Sequence, residues 1–190
     1  KVDTSSLILS SEYRTTLAFV SQKQDGGRDF YFFKGAHDKL APEEVSLPKE
    51  TSIFHFGSLS QTSPNSRKAT QKLMKQARDQ GAMISYDPNL RKNLWEDLNE
   101  AKQIMLSTSK EVDIFKMSEE ETVFLAGTKD PKKAAEKLFL PNHQALFITL
   151  GVKGCYFKTK NFEGYLPTLK VFVVDTTGAG DAFNAGYLYG

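Results

Sequence analysis

The chain has 190 residues, 39% of them hydrophobic, enough to bury a single sizeable core. Its 25 basic and 23 acidic residues leave a formal charge of +2, without the basic tract of a nucleic-acid binder or an acidic tail. No apolar run approaches the ~18 residues of a membrane span. The one cysteine, Cys155, has no internal disulfide partner and reads as a buried strand side chain beside Tyr156 and Phe157. No signal peptide is visible, and the chain opens on Lys1, not methionine.

The first segments differ from the rest. Residues 15–22 and 28–33 are strand-like, and Asp25-Gly26-Gly27 between them supplies the turn of a hairpin. Its second arm, Asp29-Phe30-Tyr31-Phe32-Phe33, is dense in aromatics, so one face needs cover from a core, a ligand or another subunit. After Pro48 the pattern alternates. A strand at 53–56 precedes a helix over 64–80, opened by Pro64 and stopped by Gly81, with Ala69, Leu73 and Ala77 on one stripe. A strand at 83–86 is followed by a helix on which Leu94, Leu98, Ala101 and Met105 recur. Then come a strand at 112–115, a helix from Ser118 to near Gly127, and a helix from Asp130 and Pro131 through Leu138. The run 145–150 lacks polar alternation except at Thr149, as expected of a strand buried on both faces. Two short antiparallel pieces, 155–157 and 162–166, precede a buried apolar strand at 171–174.

Strands alternating with helices predict a layered α/β domain whose ligand crevice lies at the carboxyl ends of a mostly parallel sheet. The chemistry-bearing loops follow the strands. The last, Asp175-Thr176-Thr177-Gly178-Ala179-Gly180-Asp181, reads as a tight turn and the first turn of a helix. Its glycines admit a close backbone approach, and the free N–H groups of the helix start favour an anion. Asp181 sets a carboxylate beside that anion hole. A resting phosphate would repel it, but a phosphoryl group moving to a hydroxyl requires a base there. The plainer reading is a tight turn with an acid favoured by the helix dipole.

Other loops carry paired readings. Asp87-Pro88-Asn89-Leu90-Arg91 is either a turn around proline or a guanidinium presented to an oxyanion. Ser118-Glu119-Glu120-Glu121 has the spacing of a capping box. Thr149-Leu150-Gly151-Val152-Lys153-Gly154 is a weak glycine loop at a strand end. Asp175 and Thr177 offer hard oxygens suited to a cation, or simply shape the turn. The histidines, His37, His55 and His143, are too scattered to suggest a metal site, and there is no Walker-type G-x-x-x-x-G-K.

The nonamer 175–183 resembles the second signature of the PfkB (ribokinase-like) carbohydrate kinases. Further pieces occur in the order of their fructokinase-like members: Arg14-Thr15-Thr16-Leu17-Ala18-Phe19-Val20, His55-Phe56-Gly57-Ser58-Leu59, and Asp87 to Arg91 with Leu94-Trp95. The resemblance implies a ribokinase-like core at 49–190 with a small β lid and its connection at 1–48. Relatives are longer at both ends, so this chain is expected to be an excerpt. It also implies an ATP-dependent sugar kinase, cytoplasmic, with Asp181 as base and Gly178, Ala179 and Gly180 as anion hole. Thr149, Gly151 and Gly154 would meet ATP, Arg91 and Lys34 the sugar. Glu121 would organise Mg2+ through water, and Asp175 and Thr177 would hold a monovalent cation, K+ in many relatives. Ser118 stands where asparagine is commonest. Phe32-Phe33-Lys34 replaces the F-Y-R of sugar-acid kinases, and lysine lacks the bidentate fork that suits a carboxylate. Fructose is therefore expected over 2-keto-3-deoxygluconate, ribose or a nucleoside. A kinase-like binding or regulatory protein is the alternative outside enzymes. Lid-to-lid homodimers are expected, with neither nucleic acid nor membrane as partner.

Overall fold

The computed structural model describes residues 2–22, 28–173 and 175–190. An antiparallel pair, β1 (Leu17–Gln22) and β2 (Arg28–Phe33), forms a two-stranded sheet of its own. The main sheet has six strands in sequence order: β3 (Ile53–Gly57), β4 (Met83–Asp87), β5 (Ile114–Ser118), β6 (Ala145–Thr149), β7 (Cys155–Thr159) and β8 (Glu163–Leu166). β3 to β6 run parallel; β7 and β8 return antiparallel. The connecting helices are α1 (Pro64–Gln80), α2 (Leu98–Ser109), α3 (Glu119–Ala126) and α4 (Pro131–Leu138), and α5 (Ala179–Tyr189) follows the glycine turn. The hairpin loop, Asp25-Gly26-Gly27, lies outside the described residues.

Local chemistry accounts for the helix bounds. Pro64 and Pro131 sit in the first turns of α1 and α4, and the Asp130 carboxylate accepts from the N–H groups of Lys132 and Lys133. α1 and α3 stop at left-handed Gly81 and Gly127. Leu94 does not belong to α2, contrary to the periodicity. It ends a separate 3-10 turn, because Asp97 caps α2 afresh by accepting from Asn99 N. The third strand begins at Ile114, not Val112.

The run 171–174 corrects another expectation. Val171, Phe172 and Val173 are exposed and lie in no strand, and Val174 is outside the described residues. Apolar sequence reports a preference for burial, but a strand is made by pairing, and none of the six strands pairs with this run, although β3 and β8 stand at the edges of the sheet.

The two faces of the main sheet are covered differently. One face, with Phe56, Ile84, Tyr86, Phe115, Met117, Leu146 and Ile148, forms a single apolar core with Met74 and Ala77 of α1, Met105 of α2, Leu125 of α3 and Leu138 of α4. Most of its polar groups are paired: Tyr86 donates to Gln61, Gln61 to Thr108, and Asp113 receives Arg78 and the N–H of Ile84, while Trp95 Nε1 and the Tyr156 hydroxyl are buried without a hydrogen-bond partner. The other face meets α5. Phe147 of β6 stacks on Tyr187 at 4.9 Å and meets Phe183 edge-on at 5.7 Å. Beside these aromatics, that face is polar.

Candidate active site

Parallel pairing brings the carboxyl ends of β3 to β6 to one edge of the sheet, and the loops singled out from the sequence gather there. Ser58 N donates to Pro88 O at 2.9 Å, closing the first loop onto the second. Asn89, with φ +47°, donates its N–H to Asp87 Oδ1 at 3.2 Å, so Asp87 does shape the turn around Pro88. Arg91 leans on the lid: its guanidinium lies 5.1 Å from the Phe30 ring centre. Asn93 adds a hydrogen bond to the Phe30 carbonyl at 2.8 Å. Lys34 pairs with Asp38 at 3.7 Å near the root of the lid.

The capping box at α3 is present. Ser118 Oγ accepts from Glu121 N at 3.2 Å, and Glu121 Oε2 accepts from Ser118 N at 2.7 Å. The other oxygen, Oε1, accepts from Leu90 N at 2.6 Å. Buried Glu121 thus clasps the 87–91 loop to the start of α3. With a backbone donor on each oxygen it suits an indirect, water-borne role toward a cation better than a direct one. In the glycine loop, the Thr149 hydroxyl donates to Met117 O at 3.4 Å, while Gly151 and Gly154 take φ of +57° and +96°. A side chain at Gly154 would strike the backbone of Leu166, so this glycine is required by packing whatever else the loop does.

The last turn is built as its residues suggest. Gly178 adopts φ +77° and caps α5, and Thr177 N donates to Asp175 Oδ1 at 2.6 Å. Ala179, Gly180 and Asp181 then form the first turn of the helix, where backbone N–H groups have no intrahelical acceptor, although that of Ala179 donates to Thr176 O at 3.2 Å. Asp181 is exposed at this rim.

Beneath that turn lies a network the motifs did not announce. Lys116 of β5 is only 5% exposed, yet its Nζ donates to Asp87 Oδ2 at 2.8 Å. Asn184 of α5 donates to the same oxygen at 2.8 Å, and its Nδ2 lies 3.5 Å from His55 Nε2. His55 Nδ1 meets Ser85 Oγ at 3.0 Å, and Ser85 meets the Tyr187 hydroxyl at 2.9 Å. Partial burial holds the His55 pKa below its usual value. Asp87 and Asp181 pull it up and Lys116 pushes it down. Burial pushes Tyr187 up to about 12 and the Cys155 thiol up to about 11, so Cys155 is a packed, unreactive thiol. The one sequence signal for this network was a charge inside an apolar strand, Ile114-Phe115-Lys116-Met117.

The layered α/β core, the two-stranded sheet resting on its 87–93 loop and the carboxylate directly after a glycine turn at the strand ends are the arrangement of a ribokinase-like fold. The model of the pfkB family carbohydrate kinases matches residues 1–190, and the chain belongs to that family. It is 43% identical over 181 residues to a probable chloroplastic fructokinase-6 of Arabidopsis thaliana, covering 92% of this chain and 47% of that protein. Among solved structures, it superposes with a TM-score of 0.88 on a double mutant of the fructokinase of Vibrio cholerae O395 bound to fructose, ADP and potassium. Sequence identity there is 28%, over 99% of this chain and 61% of the other. For the ATP-bound fructokinase of Xylella fastidiosa the TM-score is 0.84 at 31% identity, over 95% of this chain and 57% of the other. The chain spans about half the length of the curated relatives it matches.

Proposed function

We propose that this chain is the lid (1–48) and core (49–190) of an ATP-dependent kinase acting on a hydroxyl of fructose. The observation that carries the reading is Asp181 in the first turn of α5, directly after the Gly178–Gly180 turn, in a chain whose relatives include fructokinases. The sugar hydroxyl attacks the γ-phosphorus of ATP, and its proton passes to the Asp181 carboxylate. The bond to the bridging oxygen breaks, and its electron pair stays with ADP. Backbone N–H groups of Gly178 and Gly180 face the charge gathering on the phosphoryl oxygens, joined by that of Ala179 once it leaves the Thr176 carbonyl to which it donates here.

Thr149, Gly151 and Gly154 line the nucleotide side of the site. Magnesium, when bound, neutralises phosphate charge, and Glu121 would orient its water shell. Asp175 and Thr177 would hold a potassium ion, the cation bound in the Vibrio structure. Arg91 and Lys34 flank the sugar. Lys34 is tied to Asp38 and Arg91 rests on Phe30, an arrangement that favours a neutral ketose over a sugar acid.

The outer face of the lid supports a homodimer. Leu17, Phe19, Tyr31 and Phe33 share one side of the hairpin and are 54%, 54%, 59% and 64% exposed. Replacing Phe19 and Tyr31 with serine is expected to convert dimer to monomer in sedimentation velocity. Among the described residues, no helix is long and apolar enough to cross a membrane. The cytoplasmic location that the resemblance implies is a separate proposal, which cell fractionation tests.

The full-length protein, given ATP, magnesium and potassium, is expected to phosphorylate fructose in preference to 2-keto-3-deoxygluconate, ribose and adenosine. Turnover of another of these replaces the substrate. Absence of any turnover alongside measurable ATP binding returns the reading to a binding protein.

A further inference from the structure

A lysine ammonium has three N–H donors. Among the described residues, Lys116 has one hydrogen-bond acceptor, Asp87 Oδ2, although the side chain is 6% exposed. Asn184, 5% exposed, adds a second deficit, since its Oδ1 is buried without a hydrogen-bond partner. A buried polar network that ends in unfilled donors and an unfilled acceptor marks a place where something else is meant to bind.

The position of the unfilled donors identifies what that is. A methyl group placed on Gly180 would stand 3.4 Å from Lys116 Nζ. Glycine at 180 therefore leaves the ammonium open toward the first turn of α5, on which the anion hole is built. An anion is strongly favoured there, because the ammonium adds its charge to the N–H groups of the helix start. Asp87 fixes the ammonium from one side, and Asn184, one helical turn after Asp181, ties the same carboxylate to α5.

Resting on the kinase reading, we propose that Lys116 is a further catalytic residue, whose ammonium reaches the transferring phosphoryl oxygens through the gap at Gly180. Asp87 and Asn184 are positioning residues. Lys116 takes no part in the proton transfer. It donates hydrogen bonds to an oxygen whose charge grows as the bond to ADP breaks, while the sugar proton goes to Asp181. A fixed donor of this kind strengthens in the transition state and so acts on kcat more than on KM.

The test begins with fructose turnover by the unmodified full-length protein. Its absence overturns the kinase reading, and this inference with it. Given turnover, two variants are measured. Lys116→Met with Asp87→Asn neutralises both members of the buried pair and so preserves the fold; Lys116→Arg keeps the charge but moves it. Each is expected to lose about 10²–10³ in kcat, as removal of one oxyanion donor does. KM for fructose should change by less than about threefold, since the contact forms only in the transition state. The double variant should also bind ADP with unchanged affinity but no longer tighten when aluminium fluoride, a mimic of the transferring group, is added with fructose. Either folded variant with near-normal kcat, or a double variant that binds the fluoride complex like the parent, overturns the role.

Discussion

The two faces of the main sheet use the same strands for opposite purposes. On one, Tyr86, Phe115, Met117, Leu146 and Ile148 are fully buried beneath four helices, and most polar groups admitted there are paired, Trp95 Nε1 and the Tyr156 hydroxyl excepted. On the other, His55, Ser85, Asp87 and Lys116 come from neighbouring strands and meet one helix, α5, with donors and an acceptor left over. Alternation along a strand makes this division possible, because successive side chains point to opposite faces. Phe115 and Lys116 are adjacent in sequence but belong to different structures. The difference separates stability from chemistry: the apolar, mostly paired face holds the sheet together, and the polar face, where the buried Lys116 ammonium opens toward α5, is where we place the ligand.

Damage to the paired face should be a matter of stability. Ile148→Ala is expected to cost about 2–5 kcal/mol in urea unfolding, from lost burial and the cavity left behind. A loss under 1 kcal/mol would mean that the core has repacked and the division is weaker than drawn. Asp113→Ala removes the acceptor of both Arg78 and the Ile84 N–H, and should cost about 1–3 kcal/mol by the same assay. Acid should erode stability more gently. His37, His55 and His143 all have pKa values lowered chiefly by burial, so each favours its neutral form in the folded protein. The unfolded chain then binds more protons, and stability falls as pH drops from about 6.5 through the lowered folded values. A melting temperature that stays flat or rises between pH 7.5 and 5.5 would contradict this.

Much of the paired face was legible in the sequence, because its signals are local. Pro64 with Gly81, and Asp130 with Pro131, fix their helices through contacts within a few residues. The glycine turn was legible for the same reason: Gly178, Gly180 and Asp181 fall within four consecutive positions, and the turn and helix start they predict are present. The network beneath them was not. Lys116 meets its carboxylate across 29 positions and Asn184 across 97, and no local pattern links them. Two local readings also failed. Leu94 kept the helical spacing, but Asp97 started a new cap between it and α2. Residues 171–174 had the composition of a strand, yet Val171 to Val173 pair with none of the six strands.

The division is tested most directly by measuring kcat for fructose and unfolding free energy on the same preparations of Asp181→Asn and Ile148→Ala in the full-length protein. Asp181 is exposed at a helix start, so its substitution should cost no more than about 1 kcal/mol of stability. It should nonetheless lower kcat by about 10²–10⁴. Ile148→Ala should show the reverse, with turnover retained under conditions where it remains folded. An Asp181→Asn protein with the parent's turnover would contradict the assignment of the base, and with it the claim that the α5 face carries the chemistry.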